Sequence, residues 1–594
     1  MSLICVRQIT CPSVTIHKQE LETIREYIKR SLEEFHIAGT ALAVIKDDDV
    51  IFQDGFGVRD IEQGLPVTQD TLFAIGSSTK AFTTMAIGML VDDGKLNWDE
   101  PVVSYLPEFK LHDKYASENA TLRDLATHRV GLPRHDLVWY KARLSGEEII
   151  NRLSHLAFSK PFRTTFQYQN MMYLTLGYIV EKITGQSWET FVKERILEPL
   201  GMKRTNFSVD ESQRDHDFSK PYKVVNQEIE ETAFANIDTI GPAGSMNSSV
   251  TEMAQWVRLH LGKGTFRSSS LISENNITQM HNPQISIGPS QDERILFPSY
   301  ALGWFTEVYR GHHIVHHGGN IDGFTSIVAM VPKENIGIVV LTNQENSVLP
   351  KAAAYTIFDK LLGLPTVNWN TLMKGELDKL IASMREGAGQ SKMDRALNAK
   401  PSHDQSAYAG EFKHPAYGTI TIAEEDNQLY VHYHAFAEPL QLEHFHYDVF
   451  SFTFGESILT QEFKVQFYSD LRGKINRLAI QFEKMLEPIE FVRKAASNPP
   501  NLDIWKKYIG EYDLAGQSAL VELRGGKALT VTVPGQPMFE LVPISHDEFE
   551  IKGLSGYGIQ FVLDGNSVCS EARFKQPNGT FVLKRSERSG DENN

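Results

Sequence analysis

At 594 residues, 41% of them hydrophobic, the chain is long enough for three or more domains with cores of their own. A formal net charge of −16 argues against nucleic-acid binding, which needs a basic face. The three cysteines, Cys5, Cys11 and Cys569, build no disulfide framework, and no apolar run reaches the length of a membrane span.

Residues 1–17 read as a tail. Its start lacks the basic residues and long apolar core of a secretory signal, which predicts a cytoplasmic protein. Over 19–36, Leu21, Ile24, Ile28, Leu32 and Phe35 recur at helical spacing and predict an amphipathic helix. Residues 41–46 and 50–54 flank Asp47-Asp48-Asp49 and predict a hairpin. A helix is predicted over 77–93, stopped by Gly94. Ser249-Val250-Thr251-Glu252 has the form of a capping box opening another helix. The apolar runs 325–331 and 336–342, joined by Pro332-Lys333-Glu334-Asn335, predict a second hairpin.

Three short motifs carry chemistry. Ser77-Ser78-Thr79-Lys80 puts a serine and a lysine one helical turn apart on one face. A serine hydroxyl needs an adjacent base to become a nucleophile. A lysine can be that base if burial and nearby cations keep it neutral, and a helix N-terminus favours a developing anion. Ser-x-x-Lys alone occurs about once or twice by chance in a chain this long, with Ser77 as a plain N-cap the competing reading. Phe166-Gln167-Tyr168-Gln169-Asn170 adds a phenol able to relay a proton and an amide able to hold a lysine head or a substrate carbonyl. Tyr168 reads equally as a core aromatic. In His316-His317-Gly318-Gly319-Asn320, the glycines let a carbonyl approach the backbone, and the N–H groups of Gly319 and Ser77 can together form an oxyanion hole. Adjacent strand histidines point to opposite faces, and no neighbouring Cys, Asp or Glu completes a zinc spacing.

In this order the motifs resemble the serine β-lactamase and penicillin-binding-protein family, in the branch that holds class C β-lactamases, family VIII esterases and D-aminopeptidases. Thr127-His128-Arg129-Val130-Gly131-Leu132-Pro133, Pro242-Ala243-Gly244-Ser245-Met246 and Tyr300-Ala301-Leu302-Gly303-Trp304 look like further landmarks of it. The resemblance covers residues 18–365. It implies an α/β (α+β) catalytic domain, an antiparallel sheet flanked by helices plus a helical subdomain. It implies Ser77 as the acylated nucleophile, with Lys80 and Tyr168 as base and proton relay in either order. Asn170 would orient Lys80 and the substrate. Gly318 and Gly319 would receive the substrate carbonyl, and His316 would stand where many members carry lysine. Histidine is mostly neutral at pH 7, which favours esters, amides or peptides over substrates gripped by a carboxylate.

Residues 366–405 read as a connector, partly helical near 372–384. Beyond it, short strands and turns carry a repeat. Tyr408-Ala409-Gly410-Glu411-Phe412 recurs 100 residues later as Tyr508-Ile509-Gly510-Glu511-Tyr512. Val465-Gln466-Phe467 recurs as Ile559-Gln560-Phe561. Residues 406–495 and 501–590 each predict a small antiparallel β-barrel. They resemble the lipocalin-like modules of some members, in an arrangement closest to the D-aminopeptidases. The glycine-rich loop 553–558 is expected to cover the cleft. The expected function is a serine hydrolase acting through an acyl-enzyme on amide or peptide bonds, D-aminopeptidase-like. A carboxylesterase and a non-catalytic binding protein are the alternatives. The substrate is expected to be a small molecule or short peptide. No metal, cofactor, nucleic-acid or membrane partner is implied, and homo-oligomerisation stays open.

Overall fold

The computed structural model describes residues 18–393, 395–396, 398–455, 461–494, 502–514, 517–525, 527–545, 547–554, 556–564 and 568–586. The predicted tail 1–17, with Cys5 and Cys11, lies outside the described residues. Compactness divides the chain into two units, 1–409 with 414–491 and 410–413 with 492–594.

Nine strands form one antiparallel sheet in the order Ile285–Ser286, Ile295–Tyr300, Phe305–Tyr309, His312–Ile321, Phe324–Val331, Ile336–Thr342, Gly39–Lys46, Asp49–Asp60, Leu65–Pro66. The first strand of the chain therefore sits inside the sheet, with Thr40 opposite Thr342 on one side and Phe56 on the other. Side chains alternate between two faces. On one face Leu42, Val44, Ile327, Ala329, Ile338 and Val340 pack with Ile28, Leu32, Ala353 and Phe358 of the helices Lys18–Glu34 and Leu349–Leu361. Burying each large aliphatic side chain here stabilises the fold by roughly 1.5–3 kcal/mol. On the other face Gly337 leaves room for Val257 of the helix Val250–Leu261. Phe82 of the helix Lys80–Asp92 stacks on Trp256 with ring centroids 3.8 Å apart.

Two local expectations change. The predicted 77–93 helix opens with a 3₁₀ turn, Gly76–Thr79, and only Lys80–Asp92 is α-helical. Gly76 enters that turn at φ +50°, a conformation that suits glycine. The predicted capping box at Ser249 is half made. Its hydroxyl accepts the Glu252 N–H, but the Glu252 carboxylate turns instead to the N–H groups of Arg204 and Thr205. Two charge-assisted bonds to a neighbouring segment outcompete the one local bond.

The helix Trp369–Met393 takes up much of the predicted connector and runs past 384. Eight strands from Gly410–His414 to Ile489–Arg493 close one antiparallel barrel, and eight from Gly510–Leu514 to Gly579–Arg585 close another. Closure leaves no open sheet edge. The sequence repeat is a packing repeat: Tyr408 meets Phe467 at 5.0 Å, and Tyr508 meets Phe561 at 4.4 Å. Gly410 faces the guanidinium of Arg493, as Gly510 faces that of Arg585. The loop 553–558 belongs to the second unit, and its Ser555 lies outside the described residues. Among the described residues no helix is long and apolar enough to cross a membrane.

Candidate active site

The turn that carries Ser77 is pinned from three sides. The Ser326 hydroxyl donates to the Ile75 carbonyl at 2.8 Å, and the Ser78 hydroxyl donates to the His317 carbonyl at 3.2 Å. The Ile75 N–H donates to the Met246 carbonyl at 3.0 Å, tying the turn to the 242–246 segment. Gly319 backs directly onto the Ile75 carbonyl, and a Cβ there would collide with it. At Gly318 a Cβ would meet only the Ser326 carbonyl oxygen, at 3.3 Å.

Lys80 is fully buried one turn beyond Ser77. Its Nζ lies 3.0 Å from Ser77 Oγ, 2.8 Å from Asn170 Oδ1 and 2.7 Å from the Ala243 carbonyl oxygen. Asn170 is oriented by its own amide, because its Nδ2 donates to Asp136 at 3.0 Å and so turns Oδ1 to the lysine. Burial, then the Arg134 charge, hold the Lys80 amine well below the usual lysine range, with Asp136 pulling back. A neutral amine has two N–H donors and one lone pair. With the Asn170 and Ala243 oxygens taking the donors, the lone pair is left to face the Ser77 hydroxyl.

Tyr168 lies beside this pair, with Lys80 Nζ 4.8 Å from its ring centre. Its hydroxyl is buried and looks toward Ser77 without closing a well-formed hydrogen bond. Burial pushes this phenol up from its ordinary value, against the pull of Ser77 and Arg134. A phenolate is therefore disfavoured at neutral pH. The Thr127–Pro133 landmark explains how Tyr168 is held: the N–H of Gln167 donates to the His128 carbonyl at 2.7 Å, and that of Gln169 to His128 Nδ1 at 3.0 Å. Both chain neighbours of Tyr168 are thus tied to one residue.

The two histidines of the third motif part company. His317 lies on the same strand face as Gly319, its ring 6.2 Å from that of Tyr168. Its Nε2 meets the Tyr300 hydroxyl at 3.0 Å, and burial, then Lys80, push it down to about 3. His316 points the other way, with its ring stacked on Phe305 and its Nε2 3.6 Å from the Glu307 carboxylate. Sequence reasoning singled out His316. The period-2 alternation of the strand, set from Gly319, is the signal that favours His317.

Sequence reasoning placed the first barrel at 406–495 but did not foresee that it lies beside Tyr168. A cavity of about 710 Å³ opens beside Tyr168, lined by Arg134, Asp136 and Leu137 on one side and by Phe454, Phe463, Phe482, Glu483 and Met485 of the barrel on the other. The barrel is fastened there by hydrogen bonds: the His135 N–H to Glu483 Oε1 at 2.6 Å, the Tyr433 hydroxyl to the Leu137 carbonyl at 2.7 Å, and Arg152 to the Ala416 carbonyl at 2.9 Å. Burial pushes the Glu483 carboxyl up from 4.5 to about 7, the His135 N–H opposes that, Asp136 adds to it and Arg134 subtracts. The folded protein keeps this proton up to about pH 7, while the unfolded chain releases it near 4.5. Stability from this group therefore falls as pH rises through that window and stays lower above it. Glu483→Gln is expected to stabilise the fold at pH 8 by about 1 kcal/mol, after allowance for solvent screening, and to change it little at pH 4. Thermal melts at both pH values check this, and a larger gain at pH 4 would contradict it.

An antiparallel sheet with helices on both faces and a serine–lysine turn packed on its inner strands is the fold of the β-lactamases and penicillin-binding proteins. The comparisons agree. Residues 24–362 match the Beta-lactamase family, and residues 394–493 match a domain of unknown function, DUF3471. Unguisins hydrolase ungD′ of Aspergillus campestris is 30% identical over 438 residues, covering 70% of this chain and 80% of that protein. Protein flp of Staphylococcus aureus is 28% identical over 340 residues, covering 56% of this chain and 64% of that protein. The structure of the octameric penicillin-binding protein homologue from Pyrococcus abyssi superposes with a TM-score of 0.53 at 23% identity, over 80% of this chain and all of that one, and so shares the fold. The chain belongs to the Beta-lactamase family, as a serine hydrolase.

Proposed function

We propose that this protein hydrolyses amide or peptide bonds through an acyl-enzyme on Ser77, in the manner of a D-aminopeptidase or a related peptidase. The observation that carries the reading is the Lys80 amine. It is buried, held below its ordinary pKa, and satisfied by two acceptors in every direction but that of Ser77. Lys80 takes the Ser77 proton as the hydroxyl attacks the carbonyl. Tyr168 gives its proton to the leaving group and takes the one Lys80 carries, so the phenol ends neutral and the amine ends free. Asn170 orients the amine, and the N–H groups of Ser77 and Gly319 hold the oxyanion. Water then attacks the acyl-enzyme, with Lys80 again as base. The relative named as a hydrolase of unguisins, matched over most of its length, supports hydrolytic chemistry.

A carboxylesterase is the second reading. It is favoured by the neutral His317 in the third motif, where no fixed cation waits for a substrate carboxylate. Initial rates with D-alanine p-nitroanilide, its L isomer, p-nitrophenyl butyrate and a chromogenic cephalosporin decide between them, with Ser77→Ala as control. The peptidase reading expects Ser77-dependent turnover of an anilide. Turnover of the ester alone makes the protein an esterase. Activity that survives Ser77→Ala, or no covalent labelling of Ser77 by a fluorophosphonate, overturns the acyl-enzyme reading.

A further inference from the structure

The cavity beside Tyr168 holds one acid that the mechanism does not use. Arg134 is paired with Asp136 at 2.5 Å. Asp136 is further satisfied by Asn170 and by the Trp139 indole N–H, each at 3.0 Å. Glu483 takes the His135 backbone N–H at 2.6 Å and, among the described residues, has no cation within ion-pair distance. Its exposed neighbour Lys484 also lines the cavity, and Arg134 acts on the Glu483 charge without forming an ion pair with it. Around Glu483 the barrel wall is aromatic, built from Phe454, Phe463 and Phe482.

A half-buried acid in an aromatic wall is costly to ionise without a partner, and such groups concentrate where ligands bind. We propose that Glu483 is the specificity-determining residue of a substrate subsite, one that takes a cationic group on an apolar stem, an alkylammonium or alkylguanidinium. The aromatic walls bury the stem and favour the cation over the ring faces. Glu483 supplies the counter-charge to the bound cation, which gives the carboxylate a partner at ion-pair distance. The subsite rests on the hydrolase reading only in that the bound group belongs to the substrate of Ser77. In that case the barrel selects what the catalytic domain cleaves.

The test is protection of Ser77 from a fluorescent fluorophosphonate by hexylammonium, hexanol and hexanoate. Hexylammonium is expected to protect at about ten-fold lower concentration than the other two. In Glu483→Gln that advantage is expected to vanish, and in Glu483→Asp, which keeps the charge, to survive in part. The proposal falls if hexanol or hexanoate protects as well as hexylammonium, or if the advantage persists in Glu483→Gln. If wild-type Ser77 takes no label, the acyl-enzyme reading falls instead. Calorimetric titration with the same three compounds then decides the subsite separately, by the same ammonium preference and its loss in Glu483→Gln.

Discussion

Lys80→Met is expected to slow acylation of Ser77 by roughly 10³-fold, the range removed with a well-placed general base. Methionine matches the stem of lysine in length and bulk, so the helix Lys80–Asp92 keeps its packing and only the amine is lost. Two acceptors, Asn170 Oδ1 and the Ala243 carbonyl, lose a donor, at about 1–3 kcal/mol each, while the burial cost of a polar amine is removed at the same time. The net change in stability is therefore expected to be small beside the change in rate. The pH profile adds a second reading. Because the amine titrates well below the ordinary lysine value of 10.5, the wild-type acylation rate rises with pH as Lys80 loses its proton and levels off short of that value. In Lys80→Met that rise is expected to disappear. Fluorophosphonate labelling rates across pH, with thermal melts of both proteins, measure both effects. A Lys80→Met enzyme that acylates within a few-fold of wild type would transfer the base role away from Lys80.

Gly319→Ala is expected to lower kcat by about 10²–10³-fold, the cost of losing one oxyanion donor, and to destabilise the fold by about 1–3 kcal/mol through overpacking. The new methyl would run into the Ile75 carbonyl and the Ser326 hydroxyl, the two groups that lock the strand to the nucleophile turn. Strand and turn must separate to admit it. Gly318→Ala is the matched control, because its methyl would meet only one backbone oxygen at 3.3 Å. It is expected to keep kcat within a few-fold of wild type. Equal losses in the two variants would mean that the glycines serve only to let the strand approach, with no part for the Gly319 N–H.

Much of the site is legible in the sequence because its motifs are local. Ser77 and Lys80 stand one turn apart, and Tyr168 and Asn170 stand two residues apart where a loop enters the helix Asn170–Thr184, so spacing alone brings each pair together. What spacing cannot give is long-range geometry. The choice between His316 and His317 depends on strand parity relative to the turn that carries Ser77, and neighbouring residues of a strand differ in face, not in chemistry. The Ser78 and Ser326 hydroxyls that fasten the turn are 248 residues apart, and Ser326 belongs to no motif. Glu483 reaches His135 across 348 residues, inside a segment whose sequence speaks only of short strands. The barrels were legible as a repeat because the same tyrosine and phenylalanine positions fill both interiors. The docking of the first barrel beside Tyr168 depends on residues such as Glu483 and Met485 in the connection between the strands Ile475–Ile480 and Ile489–Arg493, which the repeat does not constrain.

The position of the first strand within the sheet sets the order of events during synthesis. Gly39–Lys46 emerges early, pairs at once with Asp49–Asp60, and then waits some three hundred residues for Ile336–Thr342. During that delay the nucleophile turn is made without the strand that supports it, and an apolar hairpin displays an unpaired edge to other chains. Closure of the sheet is a high-contact-order step, slow by nature and open to aggregation while it lasts. Nascent chains stalled before residue 342 are therefore the species that a chaperone would have to shield.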